Sequence, residues 1–433
     1  MRTNGNWVAA RLGECGELRN GVNFNQTQEG VGLPVLKVKD FGDLVLMPVD
    51  GLDELNPRAI AIPRDQYLSE GDVVIIRSNG NGELVGRSLL VRGLLRPTTF
   101  SGFCIRFRPN VQRIDPRYAA YFIRSPICRQ RFTAFGSGTG IQNLNQATIS
   151  DVEIDLPSLE EQKAIARVLG VLDDKIELNR RMNQTLEGLA RAMFKSWFVD
   201  FDPVVAKAAG KKPVGMSAQT AALFPDRFQD SALGPIPKDW RVARVGDEFK
   251  LTMGQSPPGD TYNEDRNGSP FFQGRTDFTF RFPVRRVYCT APTRFADPQD
   301  TLVSVRAPVG DINMAIERCA VGRGVAAVRH RSGDRSLTYY AMWALSDAFA
   351  MFDGDGTLFG SIGKTDFEGI QYVSPPDDVL GQFTAMVSPL DDRIEQNERQ
   401  SASLVSLRDA LLPRLMSGEL RIYQAEGLME EVV

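Results

Sequence analysis

Only one histidine, His330, stands among the 433 residues, and it narrows the chemistry open to the chain. It leaves no room for a His-rich metal site or an HEXXH helix, and one position for any Ser-His or Cys-His couple. His330 lies in the polar run RHRSGDRS, which predicts a surface loop without a catalytic role. The five cysteines (Cys15, Cys104, Cys128, Cys289, Cys319) are odd in number, scattered and free of any CxxC pair. That pattern supports neither a disulfide framework nor a cysteine zinc site and predicts reduced, structural thiols.

Three further segments invite a catalytic reading. GSIGKT at 360 to 365 ends like a phosphate loop, but the place that needs glycine, five residues before the Gly-Lys pair, holds Leu358. FGSGTG at 135 to 140 has the glycines of an S-adenosylmethionine loop. The CRQRFTAF before it is polar and helix-like where a buried strand is required, and no Asn/Asp-Pro-Pro-Tyr/Phe tetrapeptide is present. Asp239 with Asp247, Glu248 and Lys250 forms a short acid and lysine pattern of the kind found in metal-dependent nucleases, common by chance. The chain is therefore expected to be no enzyme and to hold no cofactor or metal. A solitary DNA methyltransferase or nuclease is the competing reading, and a coiled-coil interaction protein unrelated to DNA is a third.

The elements behind these residues are organised by a repeat. At a shift of 218, Asp173, Asp174, Ile176, Glu177 and Asn179 meet Asp391, Asp392, Ile394, Glu395 and Asn397. At a shift of 233, Trp7, Arg11, Gly13, Leu18 and Gly21 meet Trp240, Arg244, Gly246, Leu251 and Gly254. Between these blocks the similarity fades. One scaffold carrying two different surfaces is the expected arrangement.

Each repeat ends in a helical pattern. Ile165, Leu169, Leu172, Ile176, Asn179, Asn183, Leu186, Ala190, Met193 and Trp197 recur at alternating four and three, the seam of a coiled coil. Phe383, Val387, Leu390, Ile394, Asn397, Ser401, Leu404, Arg408, Leu411 and Leu415 repeat it. Ser158 with Glu161 forms a capping box at the first start, and Gly418 is a left-handed cap at the second end. About forty residues at ~1.5 Å each make rods of ~60 Å. Two such rods can pair antiparallel with pseudo-twofold symmetry; the alternative is that each packs on its own domain.

The fold class is thus α+β: two mixed α/β domains separated by two long helices in an antiparallel coiled coil, with a pseudo-twofold internal repeat. The expected divisions are 1–157, first domain; 158–199, first helix; 200–233, an extended connector rich in Pro, Gly and Lys; 234–375, second domain; 376–418, second helix; and 419–433, a tail. The composition, 42% hydrophobic and 24% charged, is that of an ordinary globular protein. No stretch approaches the ~18 apolar residues of a spanning helix and the start lacks an apolar h-region, which predicts a cytoplasmic protein with no membrane partner. The net charge of -3 hides an uneven distribution. Between Arg64 and Arg131, twelve arginines face only Asp65, Glu70, Asp72, Glu83 and Asp115, a local positive field of the kind a nucleic acid needs.

With the repeat in view, the chain resembles, over essentially its full length, the specificity subunits of type I restriction-modification systems. The residues that carry this are LPSLEEQKAIARVLGVLDDKIELNRRMNQTLEGLARAMFKSWFVDFDPV (156–204), LGPIPKDWRVARVGD (233–247) and LRDALLPRLMSGELRI (407–422). PPDDVLGQF at 375 to 383 departs by lacking the Glu-Glu-Gln of the first copy. The resemblance implies two target recognition domains, each reading one half of a bipartite double-stranded DNA site. It further implies helices that act as spacer and docking surface for two modification subunits, and restriction subunits that add translocase and nuclease activity. S-adenosylmethionine, ATP and Mg would belong to those partners.

Arginine and backbone amides on phosphates supply affinity, whereas Arg, Asn, Gln and Thr on base edges supply discrimination. The candidates in or beside glycine-rich turns are Arg77, Asn79 and Arg87 in the first domain and Arg275, Arg306 and Arg323 in the second. The glycine loops add Gly136, Ser137, Gly138 and Thr139, with Gly354 and Gly356.

Overall fold

A computed structural model describes residues 7–134, 143–353 and 360–430. The candidates Gly136, Ser137, Gly138, Thr139, Gly354 and Gly356 lie outside the described residues. The chain divides into two compact units, Met1–Arg181 with Asn397–Val433, and Met182–Gln396.

In the first unit the run VVII (Val73–Ile76) is buried at every position because its sheet is covered on both faces. Val73 and Ile75 join Tyr118 and Leu169 in one cluster, while Val74 and Ile76 join Leu36, Phe41 and Leu68 in another. The sheet is antiparallel, in the order Gly16–Asn20, Cys104–Pro109, Val73–Ile76, Ser88–Leu90. The second unit repeats that order with Phe249–Met253, Val325–His330, Thr301–Ser304 and Ile312–Met314. Each unit also has a small parallel pairing, Leu36 beside Phe100 and Phe272 beside Val321. The faded middles of the repeat therefore kept their topology while losing residue identity.

Two 40-residue helices, Leu159–Phe198 and Asp377–Met416, complete both units. The first starts where the Glu161 amide donates to Ser158 Oγ at 3.2 Å, and the second is followed by Gly418 at φ 69°. Their halves pack antiparallel within each unit. In the first unit, Ile165, Leu169, Leu172 and Ile176 are buried with Leu404 and Leu411. Asn179 Nδ2 donates to Gln400 Oε1 at 3.0 Å, to Ser401 Oγ at 3.3 Å and to the Asn397 carbonyl at 3.4 Å. In the second unit, Phe383 and Val387 pack with Ala190, Phe194 and Trp197, and Ile394 is also buried.

Along the first helix the buried stripe migrates. Leu186 and Met193, expected in the seam, are half-buried, whereas Glu187 and Phe194 beside them are buried. A straight helix of 3.6 residues per turn drifts ~20° per heptad against a 3.5-residue repeat, which shifts the inward face by one residue over this length. Leu390 is likewise half-buried while the next residue, Asp391, is buried.

Two expectations are corrected. The connector holds helices Asp202–Ala208 and Ala218–Ala222. Its Val204 and Phe224 are buried, the latter 5.1 Å from the Trp197 ring. Pro203 lies in the first turn of a helix, where its missing N–H costs nothing, so it starts structure instead of interrupting it. His330 is no surface-loop residue either: it ends the strand Val325–His330 and is buried against the Phe249 ring.

Candidate nucleic-acid interface

In the second unit the strand Thr301–Ser304 runs into the loop 305–311. The Val305 amide donates to the Gly324 carbonyl at 2.9 Å, tying the strand end to the turn Gly322–Val325. That turn is closed by the Val325 amide on the Gly322 carbonyl at 2.9 Å, and Gly324 donates to the Gln273 carbonyl at 3.1 Å. Ser304 Oγ accepts from the Asp311 amide at 2.9 Å and donates to the Pro308 carbonyl at 2.7 Å, so the loop carrying Arg306 is also fixed.

These segments enclose an open cleft of about 570 Å³ lined by Ser256, Tyr262, Gln273, Arg275, Thr276, Arg306 and Arg323. The structure thus brings together the three second-domain candidates, which lie far apart in sequence. Arg275 is paired with Asp311. The side chains of Arg306 and Arg323 are exposed and make no hydrogen bond or ion pair among the described residues. Four other arginines of this domain are paired instead: Arg241 with Glu248, Arg285 with Glu317, Arg286 with Asp277 and Arg329 with Asp300. Two guanidiniums without an ion-pair partner among the described residues line the same cleft as Gln273, Ser256 and Thr276, and these are the kinds of group that hold phosphates and hydrogen-bond base edges.

The first unit arranges its candidates differently. Arg77 follows the strand Val73–Ile76; its amide donates to the Phe103 carbonyl at 2.9 Å and its carbonyl accepts from the Leu144 amide at 2.7 Å. Its side chain has no partner among the described residues. Asn79 Oδ1 accepts from the Asn81 amide at 2.8 Å, which commits its carbonyl to the turn. Lys37 and Lys39, on the segment matching Gln273 to Arg275, are paired with Glu29 and Asp53.

The Arg87 side chain lines a separate cleft of about 610 Å³ with Asp43, Glu83, Arg124, Arg129, Asp173, Arg408 and Asp409. Its Nη1 is 3.5 Å from Asp43 Oδ1. Burial, with Arg408 nearby, pushes the Arg124 guanidinium down to about 10. Four guanidiniums there meet four carboxylates, so this cleft presents no net positive field.

Sequence reasoning passed over Ser256, Tyr262 and Gln273, which only the fold carries to the arginines. It also passed over the groups that fix each domain to the helices. Asp173 and Asp391, paired by the repeat, are both buried. Tyr121 Oη donates to Asp173 Oδ2 at 2.7 Å and Tyr340 Oη to Asp391 Oδ1 at 2.8 Å. Arg408 Nη1 donates to Asp173 Oδ1 at 2.8 Å. Arg281 Nη1 reaches Asp391 Oδ1 at 3.1 Å and its Nη2 reaches Glu187 Oε2 at 3.0 Å, with the guanidinium 3.9 Å from the Tyr339 ring centre.

Comparison with known proteins bears on the fold and the role of the chain. Residues 4–188 match the type I restriction modification DNA specificity domain. The chain is 27% identical to the putative type I restriction enzyme MjaX specificity subunit of Methanocaldococcus jannaschii, over 96% of this chain and 94% of the relative. It is 24% identical to the type I restriction enzyme HindI specificity subunit of Haemophilus influenzae, over 77% of this chain and 84% of the relative. The crystal structure of a type I restriction-modification S subunit from M. genitalium shares the fold at a TM-score of 0.56 and 15% identity, covering 96% of this chain and 98% of that one. Residues 4–188 thus match a DNA specificity domain, and the relatives that span nearly the whole chain are type I restriction enzyme specificity subunits, which supports a role in DNA sequence recognition.

Proposed function

We propose that the two mixed domains each read one half of a bipartite duplex site, while the long helices set the gap and dock two modification subunits. Restriction subunits join that assembly. The chain itself is non-catalytic; S-adenosylmethionine, ATP and Mg act in the partners. The observation that carries this reading is the cleft in which Arg306 and Arg323, without an ion-pair partner among the described residues, stand beside Gln273. A field of this kind draws in phosphates and leaves side chains free for base edges.

The test is the set of methylated sites produced in the presence of a modification subunit. The purified chain alone transfers no methyl group; with the subunit, split sites are modified. Inserting one heptad between Asn179 and Asn183 keeps the apolar stripe in phase and lengthens the helix by ~10 Å. At ~3.4 Å per base pair the unspecified gap then grows by about three base pairs while both half-sequences stay unchanged. Methyl transfer by the chain alone, or an active heptad variant with an unchanged gap, overturns the reading.

A further inference from the structure

The same β-turn closes the sheet in both units and carries a different side chain in each. In the first unit it is Ser101–Gly102–Phe103–Cys104, closed by the Cys104 amide on the Ser101 carbonyl at 2.9 Å. In the second it is Gly322–Arg323–Gly324–Val325, closed in the same way at 2.9 Å. Each turn is anchored to the end of the neighbouring strand, the Phe103 carbonyl by the Arg77 amide and the Gly324 carbonyl by the Val305 amide, both at 2.9 Å.

Phe103 is 61% exposed, whereas Phe100 and Phe107 in the flanking strands are fully buried. The glycines decide which position bears the side chain. A Cβ at Gly102 would meet Asn23 Oδ1 at 2.0 Å, and one at Gly324 would meet the Gln273 carbonyl oxygen at 2.4 Å. The first turn therefore presents only Phe103 and the second only Arg323, each beside the strand end that bears Arg77 or Arg306.

We propose that this turn contacts bases in both domains, with Arg323 taking a guanine edge and Phe103 a thymine methyl. The inference rests on the reading of these domains as readers of duplex DNA. Arg323 has the bidentate geometry that matches guanine O6 and N7 in the major groove. The shared anchoring places the turn in the same relation to each domain, with Phe103 at its third position and Arg323 at its second, and the apolar feature a base pair offers in that groove is the thymine methyl. Exposing a phenylalanine on a rigid tip has no advantage for folding, since its ring leaves the core.

The experiment selects duplexes from a random-sequence pool with the full chain, its Phe103→Ala, Phe103→Leu, Arg323→Ala and Arg323→Lys variants, in the presence of a modification subunit. The wild-type chain yields two conserved half-sequences. Phe103→Ala loses preference at one thymine of one half-sequence by about tenfold, and Phe103→Leu retains part of it. Arg323→Ala and Arg323→Lys relax one guanine of the other half by a similar factor. Remaking the selected duplex with deoxyuridine for that thymidine weakens wild-type binding but leaves Phe103→Ala unaffected.

If the wild-type chain selects no split sequence, the reading of the domains fails. If it does and the variants select the same bases, the turn is not a reader and this inference alone is overturned. A loss of affinity uniform over all sequences, with a shallower salt dependence for Arg323→Ala, identifies a phosphate contact and overturns it as well. Phe103→Ala removes an exposed side chain, so an unchanged melting temperature shows that folding is not the cause.

Discussion

The locks that join each domain to the helices are built on the same carboxylate and tyrosine but on unrelated cations. In the first unit, Arg408 on the second long helix answers Asp173; in the second, Arg281 from a domain loop answers Asp391 and Glu187. The position matching Arg408 is Ala190, on the first helix. What a buried carboxylate requires is a cation at a point in space, and the chain supplies it from whichever segment reaches that point. Exposure differs too: the Arg408 side chain is 10% exposed and borders an open cleft, whereas that of Arg281 is 1% exposed.

This difference sets the largest expected effect. Arg281→Met leaves the buried Asp391 with the Tyr340 hydroxyl and no cation, leaves Glu187 with Arg191, and costs about 3–5 kcal/mol. Arg408→Met costs less, because losing a side chain that borders the open cleft lets water reach the otherwise buried Asp173. Hydrogen exchange read separately over each unit measures both; equal losses would show that the two locks do not differ in solvent access.

Next come the tyrosines. Tyr121 Oη is the partner of Asp173 Oδ2, and Tyr121→Phe removes a bond to a charged group worth about 1.5–3 kcal/mol. Tyr340 shares Asp391 Oδ1 with Arg281, so Tyr340→Phe leaves the carboxylate still bound and costs less. A larger loss for Tyr340→Phe in the same exchange measurement breaks the comparison.

The smallest effect concerns pH. His330 ends a strand in the second unit where Pro109 ends its counterpart in the first. Burial lowers the His330 pKa below its ordinary value, against the opposing pull of Glu248. The unfolded chain then binds more protons, so the stabilisation is complete above about pH 6.5 and is lost as pH falls below it. Acidification through that range loosens the second unit in wild type, and His330→Gln flattens the response. An identical pH response in the variant rules out His330 as the source.

The sequence by itself determined the long helices and the doubling of the chain, because a period of 3.5 residues and repeated Asp-Asp, Ile and Asn positions are local patterns that need no knowledge of neighbours. It also marked Arg275, Arg306 and Arg323 by their glycine-rich turns, without showing that they meet. Only the tertiary structure decided that they share one cleft, that Asp173 and Asp391 take cations from unrelated segments, and that His330 is buried. The connector helices were illegible for a related reason: Pro and Gly read as breaks until Val204 and Phe224 find the aromatic cluster of Trp197 and Trp240 to pack against. Burial and charge pairing depend on distances between residues remote in sequence, and no periodicity along the chain encodes those distances.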